Sequence, residues 1–584
     1  PYWVAGGLQD NGSWAGPAIS RSGGAVNEDW VNLNGGDGFV CRVDPNDPDL
    51  FYAESQNGVI VRRNLKTGEI GSIRPARVEG LSYRFNWNTP FILSSHNSKI
   101  FYTAGNYVFR SLDRGNELRP ISPEITLTQR GSATALSESP RDPNLLYVGT
   151  DDGALWVTRD GGTTWKNITA NLKLPGPRYV ATIEASRHYK GRVYVCLDGH
   201  RSDDDNPYVF VSEDFGDTFN PLHAGLPWGS TRCMREDLVN PNLLYLGTEF
   251  AFWVSVDRGQ NWTQFNQNLP TVAIHEVAIH PDNGEIVVAT HGRSLWACDV
   301  SGLRQLKPEN VGKEIAFFDP VDVTRWRSDP GRGGTNRSFA GQNPSSGAKL
   351  WYALPNKAEK VVARIENIDG ELINEVPAKA EPGLHVISWD LTQTNRDQGG
   401  GLGGGEGAGR GERAGRPTDD SGERPGRQRR ARGDNPSEGS NAPSDESAPA
   451  NPNPAANPNP PAQEESDAEG QQPSTPSEGS QNPSAQRPQG QRGPGAGGAP
   501  GARAPQGFQG FRGPRPVPNG VYRVQLLVDG KLIKTQSITV SRDPNLPENA
   551  VADELYELKI LLDKQAKENK YQNKSNGRGN YGDD

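Results

Sequence analysis

A phrase of the form Asp-Pro-Asn-Leu-Leu-Tyr-Val-Gly-Thr-Asp-Asp-Gly returns about every 45 residues along the first half of the chain. Its copies centre on Trp3-Val4-Ala5, Phe51-Tyr52-Ala53, Phe101-Tyr102-Thr103, Leu146-Tyr147-Val148, Val193-Tyr194-Val195, Leu244-Tyr245-Leu246 and Ile286-Val287-Val288. Each reads as a strand closed by a tight turn. Such a unit can bury its apolar faces only against its neighbours, so few architectures are open to it.

Four copies carry a second phrase, Ser/Thr-x-Asp-x-Gly-x-x-aromatic, with Asp113, Asp160, Asp214 and Asp257 at its centre. Trp165, Phe219 and Trp262 fill the aromatic position, and Leu118 replaces it in the first copy. The carboxylate accepts backbone N–H groups across a hairpin turn, the glycine supplies a positive φ, and the aromatic ring packs back between sheets. These four aspartates are therefore structural rather than catalytic. A repeat of this length with four short strands is one blade of a β-propeller, whose radial closure leaves only short edges. The spacing predicts an all-β, Asp-box propeller over residues 1–306, with about seven blade repeats. The first copy begins at its second strand and the last has a poorly marked fourth, so the two ends share a blade or the ring belongs to a larger or tandem propeller.

Together with Gly7-Leu8-Gln9-Asp10-Asn11-Gly12, Arg84-Phe85-Asn86-Trp87-Asn88 and Ala289-Thr290-His291-Gly292-Arg293, these boxes give the chain a specific likeness. It resembles the bacterial sortilin-like (VPS10-like) BNR/Asp-box repeat proteins, often labelled glycosyl hydrolases. That resemblance covers roughly residues 1–395 and 517–545; it implies blades upstream of Pro1 and an extracytoplasmic place, secreted, periplasmic or on the cell surface.

Beyond the propeller, alternation at the period of strands marks residues 348–354, 360–366, 384–390, 519–528 and 531–540. They predict an immunoglobulin-like β-sandwich over 314–395 plus 517–545. Between its halves, residues 396–516 are a low-complexity insertion with no Val, Ile, Leu or Met between Gly403 and Pro516. With so little to bury it is expected to stay disordered, and loop-closure entropy grows only logarithmically, so the sandwich tolerates it. Val551, Leu555, Leu558 and Leu562 form one apolar stripe, predicting an amphipathic helix over 547–570.

The net charge is -9, against a nucleic-acid binder held by phosphate contacts, and no apolar run is long enough for a membrane-spanning helix. The chain opens at Pro1 without a signal-peptide pattern and reads as processed or truncated. Four cysteines lie far apart, without zinc or redox spacing, and read as buried thiols, with one long-range disulfide as the alternative. The run Asp203-Asp204-Asp205-Asn206 offers oxygen ligands for calcium but lacks EF-hand spacing, and reads first as a solvated acidic loop. No other cofactor or metal is expected.

The residue four beyond each aligned tyrosine falls on the face opposite the Asp-box turns: Gln56, Asn106, Asp151, Asp198, Glu249 and His291, with Asp10 from the first copy. Such a ring either caps strand ends around a solvated channel or binds a sugar, a metal or a cationic peptide. Among its acids, Asp151, Asp198 and Glu249 are the candidates for a catalytic carboxyl pair, together with Asp37, which is exposed at the channel or caps a turn. Trp14, Trp87 and Trp228 offer stacking platforms in the same connections, with Asn88, Arg178 and Arg293 as further ligand-binding candidates; inter-blade packing is the bland alternative for the tryptophans. His188, His275 and His280 read as ordinary strand or loop residues. The first function reading is a secreted or envelope binding protein for a glycan or polypeptide. Its rivals are a glycoside hydrolase with paired carboxylates and a structural component of an envelope assembly with assembly partners.

Overall fold

The computed structural model describes residues 2–327, 340–394 and 515–545. The helix expected at 547–570, and all but the last two residues of the insertion, lie outside the described residues. Trp3 to Asp299 form seven antiparallel sheets in simple up-and-down order, five of four strands and the first and last of three. These are blades, and the chain is a β-propeller. The first and seventh blades are separate sheets, not one shared between the chain's ends. They are neighbours: the Tyr2 ring lies 4.6 Å from that of His280.

The second strand of each central blade is buried on both faces, as in Phe101–Ala104, Val193–Asp198 and Leu244–Thr248. Its aligned tyrosines, Tyr52, Tyr147, Tyr194 and Tyr245, are fully buried. Innermost strands approach closely: a Cβ on Gly7 would lie 2.1 Å from the Gly38 carbonyl carbon. In the channel they enclose, Arg235 meets Glu276 at 2.6 Å and Glu184 at 3.7 Å. Burial pushes the Glu184 carboxyl up to about 7.

The turns of the Ser/Thr-x-Asp-x-Gly phrase join blades three to six each to the one before it. Asp214 accepts the Thr218 N–H (2.8 Å), the Thr218 hydroxyl (2.7 Å) and the Ser212 hydroxyl (2.8 Å). Asp160 and Asp257 repeat the pattern with Thr164 and Asn261. The Trp165 and Trp262 indoles reach back to the carbonyls of Ile121 and Leu222, both at 2.7 Å. Residues on both sides of the turn are left-handed, Phe215 at φ 68° and Gly216 at φ 89°. A Cβ on Gly216 would stand 2.4 Å from Cδ1 of the buried Ile168. Gly216→Ala is therefore expected to lower stability by about 1–3 kcal/mol, measured by thermal unfolding. An unchanged melting point would contradict this role for the turn.

Further ties cross between blades. Glu138 accepts Ser94 Oγ (2.9 Å) and the Ser95 N–H (2.8 Å), and Glu236 accepts Ser186 Oγ (2.7 Å) and the Arg187 N–H (2.9 Å). His188 belongs to one of these ties, its Nε2 lying 2.8 Å from the Asp237 carbonyl.

After the short helix Ser301–Arg304, two sheets pack face to face. One holds Ala316–Phe317, Ala348–Leu354 and Gly383–Trp389; the other holds Val323–Arg325, Lys531–Arg542, Gly520–Val528, Val361–Glu366 and Leu372–Ala378. Leu350, Tyr352, Ile365, Trp389, Val524 and Leu526 fill the space between them. Strands from both sides of the insertion thus build one core. Thr392–Gln393 pairs antiparallel with Arg515–Pro516, so the chain just before the insertion meets the insertion's last two residues. This unit is bound to the propeller through Arg21–Asp543 (3.1 Å) and the Asn343–Ser20 amide pair. All four cysteines are free thiols; Cys196 and Cys233 are buried, whereas Cys41 and Cys298 are only partly so. Among the described residues no helix is long and apolar enough to cross a membrane.

Candidate functional site

Trp3–Leu8 of the first blade and the second strands of the other six end on one face, and Asp10, Gln56, Asn106, Asp151, Asp198, Glu249 and His291 stand at those ends. They do not form a ring of free groups. Asn106 is only 1% exposed; its Oδ1 accepts the Arg84 N–H (2.8 Å) and its Nδ2 donates to the Ser82 carbonyl (3.0 Å). Asp37 is 7% exposed and caps the first repeat's turn, accepting the Asp10 N–H at 2.8 Å, while Gln56 Oε1 accepts the Asp37 N–H at 2.8 Å. Of its two expected positions, exposure at the channel and a turn cap, Asp37 takes the cap.

Trp14 lies within the strand Gly12–Pro17 and donates to the Asn11 carbonyl (2.6 Å), so it is no loop platform. Trp87 and Trp228 are 50% and 79% exposed in connections. Asn88 and Arg293 are exposed as well. Arg178 is committed to Asp204 at 2.7 and 2.9 Å, and Asp204 also accepts the Tyr208 hydroxyl at 2.8 Å. Burial alone would raise the Asp204 carboxyl, but donors from Asn206, Arg178 and Tyr208 bring it down to about 2. The central carboxylate of the acidic run is thus engaged by protein donors. Among the described residues, no three His, Cys, Asp or Glu side chains gather as a metal set.

The chemically densest part lies across blades five to seven. Arg232 bridges two candidate acids, donating Nη1 to Asp198 and Nη2 and Nε to Glu249, the last at 2.8 Å. Asp198, 2% exposed, also holds His200 Nδ1 at 2.7 Å. A buried carboxylate on Nδ1 fixes the orientation of the half-exposed imidazole and leaves Nε2 as its outer ring nitrogen. Glu249 Oε1 makes no hydrogen bond with any described residue. The His275 and His291 rings lie 4.8 Å apart. Enclosure in the channel, then the charges of His291 and Arg232, push His275 down to about 4, so it is neutral near pH 7.

Arg232 and His275 share a cause that residue patterns do not display. Both are the extra residue of a β-bulge at the start of an inner strand, between Thr231 and Cys233 and between Ile274 and Glu276. Thr134 and Ala181 occupy the same bulge in blades four and five. A bulge re-aims the side chain it frees. An alignment of inner strands places Thr, Ala, Arg and His in one mixed column, the signal that would have separated His275 from ordinary strand residues.

Beside this cluster, an open cleft of about 520 Å³ is lined by Asn86, Trp87, Thr128, Asp151, Tyr179 and Arg201, with Arg130 and Asp152 at its side. Asp151 accepts the Ser132 N–H (2.8 Å), Ser132 Oγ (3.0 Å) and Asn86 Nδ2 (3.0 Å), the last fixing the residue before Trp87. Arg201 lies over the Tyr179 ring at 5.5 Å. Arg130, Asp152, His200 and Arg201 are functional-face residues that the repeat phase did not select.

No protein-family model matches the chain. Over 165 residues it is 28% identical to a probable oligoxyloglucan-reducing end-specific xyloglucanase of Neosartorya fischeri, covering 26% of this chain and 20% of that protein. Over 243 residues it is 26% identical to the xyloglucanase Xgh74A of Acetivibrio thermocellus, covering 36% of this chain and 28% of that protein. The chain thus spans less than a third of the length of either. Among solved structures it resembles the GH74 xyloglucanase from Xanthomonas campestris at 14% identity and a TM-score of 0.39, over 66% of this chain and 74% of that one.

Proposed function

We propose that the chain is an extracytoplasmic, sortilin-like propeller that recognises a glycan through the face where its second strands end. The observation that carries this reading is Trp87, half exposed at a cleft wall whose polar groups are fixed from behind. A sugar ring stacks its C–H face on such an indole while hydroxyls meet ordered hydrogen-bonding groups. The sequence likeness to two xyloglucan-acting enzymes supports a carbohydrate over a polypeptide ligand. Trp87→Ala is expected to weaken binding of glycan-array hits about tenfold or more in a chain that still unfolds cooperatively well above the assay temperature, since only the ring's inner half is packed. Undiminished binding would move the site elsewhere.

Hydrolysis is the second reading, favoured by those same relatives. It assigns the reacting carboxyl to Glu249, one of whose oxygens takes no donor from any described residue, and which Arg232 links to Asp198 and its partner His200. A hydrolysis assay on array hits separates the readings: turnover abolished in Glu249→Gln with binding retained identifies an enzyme. No turnover on any bound glycan leaves recognition alone. An immunoglobulin-like sandwich and envelope partners belong to the same proposal as accessory features.

A further inference from the structure

The chemistry of the cleft narrows the ligand class. We infer that the cleft beside Trp87 takes a carboxylated sugar, its acid group held by Arg130 and Arg201; this rests on the glycan reading above. The lining charges, Arg130 and Arg201 against Asp151 and Asp152, cancel formally. Their commitments differ. Asp152 accepts the Thr128 N–H (2.7 Å), Thr128 Oγ1 (2.9 Å) and Thr150 Oγ1 (2.6 Å), fixing the turn that presents Arg130. That turn is tight against the acid, since a Cβ on Gly131 would lie 2.1 Å from Asp152 Oδ2. Asp198 accepts the His200 N–H (3.1 Å) and its Nδ1, fixing the 3-10 turn His200–Ser202 that presents Arg201. Asp151 holds Asn86 beside Trp87.

Each acid is therefore engaged in fixing a loop that presents a residue to the ligand. The two guanidinium groups make no hydrogen bond or ion pair with any described residue, and Arg201 is positioned only by its stacking on Tyr179. Guanidinium is the donor whose planar fork matches a carboxylate. Because the loops are fixed beforehand, little ordering is lost on binding. Trp87 supplies the ring platform that an acidic peptide would leave unused.

The test is titration of the whole chain with hexagalacturonate, with the same hexamer after its carboxyls are reduced to alcohols, and with a poly-glutamate of equal charge, at low and high salt. The acidic hexamer is expected to bind about tenfold or more tightly than its reduced form, and to lose that advantage in salt. Arg130→Gln with Arg201→Gln should weaken the acidic hexamer about tenfold and leave the reduced one unaffected, with an unchanged melting point. Equal affinity for the reduced hexamer, insensitive to both substitutions, overturns the inference and leaves the glycan reading standing. Poly-glutamate binding as tightly as the hexamer overturns it in favour of an acidic peptide. Absence of sugar binding, with no response to Trp87→Ala, ends both.

Discussion

Replacement of Asp237 by Asn is expected to cost the chain about 3–5 kcal/mol of stability, a large fraction of what a folded domain has. Asp237 is fully buried and accepts the Val239 N–H (2.9 Å), the Asn240 N–H (3.0 Å), the Tyr245 hydroxyl (3.0 Å) and Arg304 Nε (2.9 Å). Asn240 in turn donates to the Arg304 and Leu306 carbonyls, so this one carboxylate ties the sixth blade to the segment that leaves the seventh. The Arg304 Nη2 is buried and already lacks an acceptor. Removing the charge beside it leaves a buried cation uncompensated, which costs more than the pair itself contributes. Denaturant unfolding measures the loss. A companion Arg304→Met on the Asp237→Asn background should recover part of it, because the stranded cation is gone although the N–H contacts stay weakened. A single variant within about 1 kcal/mol of the parent would refute the argument.

Glu54→Gln is expected to act in the opposite direction and only above mildly acidic pH. Glu54 is fully buried, one oxygen accepting the Thr89 N–H at 3.2 Å and the other without a partner. Burial raises its carboxyl from 4.5 to about 9, against weaker lowering by backbone N–H groups. In the folded chain the proton is therefore kept, while the unfolded chain releases it above 4.5. The unfolded state binds fewer protons between these values, so stability falls as pH rises through the window. The contribution is fully present below pH 4.5, and at pH 7 about 3 kcal/mol has been lost. The amide cannot ionise and removes this slope. The melting-point gain of Glu54→Gln over the parent should be small at pH 5 and grow steadily to pH 8.5; parallel curves would exclude a protonated Glu54.

Much of the propeller was legible because its signal is local. A strand-and-turn phrase needs only neighbouring residues, and the aligned tyrosines mark a strand buried on both faces wherever it recurs. Five strands of the sandwich were legible for the same reason. Ala316–Phe317 and Val323–Arg325 are too short to show a period, and in Leu372–Ala378 Pro377 breaks the pattern; that strand lies at the sheet's edge, where proline is tolerated. The site was less legible. Its contacts join residues of different blades, such as Asn86 to Asp151 and Arg232 to Asp198, 65 and 34 positions apart. Repeat phase placed Glu249 and Asp151 at the ends of second strands, where the structure has them, but did not show that Arg232 spans two acids or that Asn106 is consumed inside. Those outcomes follow from bulge register and loop packing, which no single repeat encodes.

The antiparallel contact of Gln393 with Arg515 has a consequence for how this fold changes over time. Two chain ends held one strand spacing apart, about 5 Å, form a natural graft point. Any passenger whose own termini lie that close can be spliced there without asking the sandwich to move. The core is blind to the passenger's length, so lineages sharing this architecture are free to lengthen, trim or exchange it while the strands on either side stay in register.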